Sequence, residues 1–172
     1  MNILITYSSK TGNTKKLATG IYKNIGEEYG MNVEIKPMHE VKCTENYDSI
    51  LIGYWVDKGG PNEEAKEFMK KIRNKKVGIF ATLGAYPDSN HGFNSLVRGE
   101  DLLKEKNEII GKYICQGAVD PNLIEAFKKL DSNNYHAITD EKLRRYKIAE
   151  LHPNEAEILS ASILFKERLT II

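Results

Sequence analysis

The feature that most limits the folds open to this chain is an alternation. Short apolar runs trade places with longer segments of helical period along most of its length. Four runs read as strands that end in loops: NILITY (2–7), SILIGY (49–54), KVGIFAT (76–82) and EIIGKYIC (108–115). A fifth, MNVEIK (31–36), alternates Met31, Val33 and Ile35 with Asn32, Glu34 and Lys36. That is the period of a half-buried strand, and Pro37 ends it. Helical patterns fill the gaps. Residues 13–29 carry Leu17, Ala18, Ile21, Tyr22 and Ile25 on one stripe, with Gly30 as a stop. Residues 62–72 follow Pro61, with acids first and lysines last, as the helix dipole favours. Part of 91–106, across Gly92 and Gly99, predicts a third helix. Asp120 as cap and Pro121 at the first helical position open a fourth over 120–130. Residues 139–151 and 154–169, separated by Pro153, supply the last two.

Strand–helix alternation calls for a parallel sheet with right-handed crossovers. The run 31–36 is polar on one face and belongs at an edge. The runs 2–7, 49–54 and 76–82 are almost continuously apolar, so both their faces are covered and they belong in the middle. A five-stranded parallel α/β sheet in the order 2-1-3-4-5, with helices on both faces, meets both conditions. At 172 residues the expectation is one domain, 1–172, with extra helices at about 139–169 packed on the sheet. A net charge of +1 removes the general electrostatic case for nucleic acid or a membrane surface. No apolar run approaches the ~20 residues of a membrane span, and no basic, apolar leader precedes the first strand. The expected location is the cytoplasm. Cys43 and Cys115 form no CxxC, and the four histidines lack ligand spacing, so no metal is expected and both thiols read as core or near-core.

In such a sheet, ligands sit beyond the carboxyl ends of the strands, at the switch between the first and third. Ser8-Ser9-Lys10-Thr11-Gly12-Asn13-Thr14 lies there. Gly12 allows a sharp turn and close backbone approach. The amides of Thr11 to Thr14 would form a concave nest at a helix start, which favours an anion. Ser9, Thr11 and Thr14 add hydroxyls, and Asn13 an amide. A phosphate monoester fits that ring of donors. Helix capping is the plainer alternative, but a cap needs one hydroxyl and this loop offers several. Neither the Walker pattern nor GxGxxG occurs. A phospho-receiver site would need acids where this chain has Tyr-Ser-Ser.

At these residues the chain resembles the flavodoxin family. SKTGNT (9–14) matches the family's phosphate-loop pattern [ST]-x-T-G-x-T after a first strand. GYWVDKGGP (53–61) and TLGAYPDSNHGF (82–93) stand where the family's other two loops stand. The resemblance covers about 1–130. It implies flavin mononucleotide (FMN) as cofactor, its phosphate held by Ser9, Lys10, Thr11, Gly12, Asn13 and Thr14. It places Tyr54, Trp55, Val56, Asp57, Lys58, Gly59 and Gly60 in a second loop at the flavin ring. Thr82, Leu83, Gly84, Ala85, Tyr86, Asp88 and Gly92 form the third. Trp55 or Tyr86 would stack on the ring, with core packing as the alternative for each. Gly59 or Gly60 would permit a peptide flip that stabilises the neutral semiquinone; a simple turn before the Pro61 helix is the alternative. The backbone of Thr82, Leu83 and Gly84 would meet the flavin's pyrimidine edge, while Asp88, Ser89, Asn90 and His91 read as solvated, with a ligand contact, and for His91 a general acid, as the sharper option.

Many flavodoxins are strongly acidic, and this chain is not. Lys10, Lys58 and Arg98 flank the expected site, which implies a hydroquinone potential less negative than that of an acidic relative. It also weakens the case for docking through an acidic face. No Ser-His-Asp or Cys-His arrangement can be built, so no catalytic residue is assigned. The resemblance implies an electron carrier that passes single electrons to partner redox proteins. An FMN-dependent reductase of a quinone or tetrapyrrole is the alternative. The chain also resembles small flavodoxin-like proteins of anaerobes that accompany bilirubin reduction. A flavin-free phosphate-binding module is the third reading.

Overall fold

The computed structural model describes residues 1–26, 31–134 and 136–171. Its strands are β1 (Asn2–Tyr7), β2 (Asn32–Pro37), β3 (Ser49–Asp57), β4 (Gly60–Pro61), β5 (Lys76–Leu83) and β6 (Glu108–Gln116). Its helices are α1 (Asn13–Ile25), α2 (Glu63–Met69), α3 (Asn90–Asp101), α4 (Pro121–Lys128), α5 (Asp140–Ala149) and α6 (Glu155–Thr170). A short 3-10 turn spans Met38–Glu40. Five strands pair in parallel in the order β2-β1-β3-β5-β6, which is the expected 2-1-3-4-5 order counted over those five.

The central position of β1, β3 and β5 follows from their composition. Ile3, Leu4, Ile5, Ile50, Leu51, Ile52, Val77, Ile79 and Phe80 are all fully buried, and successive residues feed opposite faces. One face packs Ile3, Ile5, Leu51, Phe80 and Cys115 against Leu17, Ala18 and Ile21 of α1 and Ala161 and Phe165 of α6. The other packs Leu4, Ile50, Ile52, Tyr54, Val77 and Ile79 against Ala65 and Met69 of α2 and Leu103 after α3. Each buried Ile or Leu side chain contributes roughly 1.5–3 kcal/mol through removal from water.

Several expected boundaries shift. In the described chain α1 ends at Ile25, capped by Gly26, whose amide reaches Tyr22 O. The expected stop at Gly30 lies outside the described residues. β3 does not end at Tyr54. It continues to Asp57 and folds back through Lys58 and Gly59 to pair Val56 with Pro61 and Asp57 with Gly60. The hairpin is possible because Lys58 and Gly59 both take positive φ, 49° and 78°. Gly92 and Gly99 do not break α3. Both are buried inside it, and a Cβ at Gly99 would meet the Tyr54 hydroxyl.

The helices after β6 do not all lie on the sheet, as expected from sequence. Among the described residues after β6, α6 packs on the sheet, with Phe165 in an edge-to-face contact with Phe80 at 6.2 Å. α4 buries none of its residues. α5 instead reaches the loop after β5, where the Arg145 guanidinium sits over the Tyr86 ring at 5.8 Å. β6 is the edge strand, and both α6 and α3 contact it.

Candidate functional site

The exits of β1, β3, β5 and β6 converge on a narrow slot of about 120 Å³. Lys10, Thr11 and Asn13 from the first loop line it, with Trp55 and Val56 at the end of β3 and Thr82, Leu83 and Gly84 leaving β5. Its remaining wall is Gly117, Ala118, Val119 and Asp120, with Leu123 of α4.

The first loop is built to leave donors free. Gly12 sits at φ 94°, a conformation that glycine adopts without steric cost, and no atom lies within 4 Å of a Cβ placed there. No side chain caps α1. Gly12 N–H donates to Ser9 Oγ at 3.2 Å, and Lys16 N–H to Gly12 O. Among the described residues, the amides of Lys10, Thr11, Asn13, Thr14 and Lys15 find no acceptor within the chain. Orphan amides at a helix start carry the positive end of the dipole. The cradle therefore suits an anion with several oxygens.

Two expected donors turn out to be occupied. Asn13 Nδ2 donates to Thr11 Oγ1 at 3.0 Å and to Ala118 O at 2.8 Å, so it ties the first loop to the loop after β6. Thr14 and Thr82 share a hydroxyl–hydroxyl bond of 2.9 Å. One of those two hydrogens stays available, because a hydroxyl that accepts can still donate. Ser8 faces away from the cradle. Its hydroxyl donates to Glu64 and accepts from Asn62 Nδ2, which fastens β1 to the start of α2.

The second and third loops divide between slot and scaffold. Trp55 is half-buried, pairs in register with Thr82, and carries Lys10 Nζ 5.7 Å from its ring centroid. It is a strand residue and not a loop residue, yet its ring faces the slot. Tyr54, by contrast, is fully buried; its hydroxyl donates to Ser95 O at 2.9 Å and burial pushes its pKa up. Its side chain belongs to the core. Tyr86 is 42% exposed and outside the slot, so Trp55 is the aromatic wall. Asp57, Lys58, Gly59 and Gly60 form the hairpin tip beside the slot. There Arg98 donates to Gly59 O at 2.9 Å and to Lys58 O at 3.3 Å. Ala85 is half-buried and Asp88 exposed. Gly92, in the first turn of α3, is packed against Pro87 O, and its amide donates to Ser89 Oγ at 3.2 Å. Cys115 is buried in the core.

The wall after β6 was not anticipated from sequence as part of the site. Val119 covers Gly84 so closely that a Cβ there would come within 2.3 Å of Val119 Cγ2. Asp120 caps α4 and pairs with Lys10 at 3.2 Å. The Asn122 amide, and then Lys10, hold its carboxyl below the usual range. The signal was present: Gln-Gly-Ala-Val-Asp-Pro leaves a strand and enters a helix just as the first loop does.

A family model described as flavodoxin domain matches residues 4–166. The chain belongs to that family. A flavodoxin-like domain-containing protein, BilS, of Clostridioides difficile is 37% identical over 98% of this chain and 97% of its own. Among solved structures, an archaeal flavodoxin superposes with a TM-score of 0.65 at 14% identity, over 99% of this chain and 98% of that one. A Lactobacillus acidophilus flavoprotein in complex with FMN gives 0.52 at 21% identity, over 66% of this chain and 92% of that one. At those identities the structures speak for the fold alone. This flavodoxin-family chain is thus a flavodoxin-type flavoprotein by membership. Among its described residues no helix is long and apolar enough to cross a membrane.

Proposed function

We propose that this chain binds FMN between the first loop and Trp55 and works as an electron carrier between partner redox proteins. The observation that carries the reading is the cradle. Five unpaired amides surround an open Gly12, directly beside a slot with an aromatic wall. The phosphate of FMN would meet the amides of Lys10 to Lys15. Trp55 would lie against the ring, and the backbone of Thr82 to Gly84 would meet its polar edge. The bound flavin supplies reversible uptake of one or two electrons. The chain's own residues hold it, orient it and keep water from its inner edge.

Carriage is favoured over a reductase of a quinone or tetrapyrrole by the slot itself. Its ionisable lining residues, Lys10 and Asp120, are bonded to each other, which leaves no free acid or base among the described residues of its wall. The test is FMN addition to the purified chain, followed by stepwise dithionite reduction. The expected result is a yellow one-to-one complex, two resolvable one-electron steps and slow reduction of free quinone. Rapid two-electron reduction of quinone would favour the reductase. Binding of inorganic phosphate without FMN uptake would favour the phosphate module.

A further inference from the structure

The hairpin that follows Trp55 is gripped from outside by one side chain. Gly59 and Gly60 are buried although they sit at its tip, because α3 packs against them. The place of α3 is itself set by β3. The Tyr54 hydroxyl donates to Ser95 O at 2.9 Å, and a Cβ at Gly99 would come within 2.6 Å of that hydroxyl. Arg98, next to Gly99, is thereby fixed over the tip of the same hairpin. Its stem runs along Gly60, with Cδ 3.5 Å and Cβ 3.6 Å from the position of a Gly60 Cβ. Its Nη1 donates to Gly59 O at 2.9 Å and to Lys58 O at 3.3 Å. Among the described residues no carboxylate pairs with Arg98, and its bonds go to these two carbonyls.

The grip decides which polar group the tip offers on its other side. The Lys58–Gly59 peptide is trans, so its C=O and N–H point in opposite directions. With Lys58 O held toward α3, Gly59 N–H is turned away from α3, and among the described residues it has no acceptor. The Gly59–Gly60 peptide lies between two glycines, so its rotation meets the least steric resistance. Its carbonyl is the one that Arg98 holds at the shorter distance. The tip therefore offers an amide and withholds a carbonyl. A tip that offers N–H suits a bare ring nitrogen, and a tip that offers C=O suits a protonated one.

We propose that Arg98 is a positioning residue that withholds the Gly59 carbonyl from the flavin ring and so holds down the potential of the first electron. This role rests on FMN occupying the slot beside Trp55. Releasing the carbonyl lets the tip accept a hydrogen bond from a ring nitrogen that gains its proton with that electron.

The test compares the full chain with two variants. Arg98→Met keeps a stem on Gly60 and removes the donors, and Arg98→Lys restores N–H donors at the end of a similar stem. Arg98 is exposed, and circular dichroism checks that both variants fold. Without FMN, the amide order parameters of Gly59 and Gly60 should fall in Arg98→Met and recover in Arg98→Lys. With FMN, spectroelectrochemical titration of Arg98→Met should show the first-electron equilibrium shifted about tenfold toward reduction, a rise of about 59 mV. Arg98→Lys should fall between it and the parent chain. An unmoved first potential overturns the proposal, as does unchanged order at Gly59. A joint fall of both potentials would show that charge alone acts, and overturns it too. If the parent chain takes up no FMN, the flavin reading fails and the Arg98 role with it; uptake with an unmoved potential sinks the Arg98 role alone.

Discussion

At the scale of single residues, the hairpin tip is where backbone strain is concentrated. Lys58 and Gly59 both occupy the left-handed region, and only glycine does so without a Cβ penalty. Arg98 holds the carbonyls of both residues, and its Nη1 lies 2.6 Å from where a Gly59 Cβ would be. Gly59→Ala therefore meets two obstacles, the φ of 78° and the guanidinium. We expect it to lower the unfolding free energy by roughly 1–3 kcal/mol in urea titrations. Combining it with Arg98→Ala removes the clash and leaves the backbone penalty, so the double change should cost less than the sum of the singles. Strict additivity would show that the guanidinium yields freely.

At the scale of elements, α4 and the loop before it act as a cover. Among the described residues it is held by Asn13 Nδ2 on Ala118 O, Gly117 N–H on Leu83 O, Lys10 on Asp120, and Val119 on Gly84. The closed slot is smaller than the roughly 300–1,000 Å³ typical of ligand pockets, so binding of the proposed FMN there calls for this wall to open. Asp120 ties the cover down at both ends, as the α4 cap and as the Lys10 partner. Asp120→Ala should accelerate FMN association roughly two- to fivefold in stopped-flow fluorescence, with dissociation accelerated too. The pH dependence has a definite sign. The folded carboxyl titrates below its ordinary value, so its contribution is complete above the usual carboxylate range and is lost as pH falls through the lowered one. An association rate unchanged by the substitution would mean that the wall moves without releasing Asp120.

At the scale of the whole molecule, the two cysteines report different events. Cys43 is exposed, and Glu45 N–H reaches its Sγ at 3.4 Å. Cys115 lies in the cluster that joins β1 and β5 to α1 and α6, and burial pushes its thiol well above the ordinary range. A thiol reagent should modify one cysteine in the native chain, and Cys43→Ser should abolish that reaction. Modification of Cys115 should then follow loss of the helix–sheet packing across a denaturant series, because its side chain is buried in that cluster. Reaction of both thiols at equal rates under native conditions would contradict a packed helix–sheet interface.

The sequence by itself determined the sheet. Runs such as ILI at 3–5 and ILI at 50–52 must be buried on both faces, and period-2 alternation in 31–36 leaves one place for that strand, at the edge. Glycine and hydroxyls at a strand exit also marked the first loop, because free amides at a helix start are a local property. Tertiary structure alone decided the rest. Tyr54 and Trp55 are neighbours of similar chemistry, and strand alternation sends one into the core and the other to the slot. The fate of Asn13, the wall at Gly117–Asp120 and the guanidinium over Tyr86 all depend on residues far apart in the chain. Local pattern records which surfaces must leave water. It does not record which distant loop will cover a given edge, because that depends on the space left once the sheet and its helices have packed.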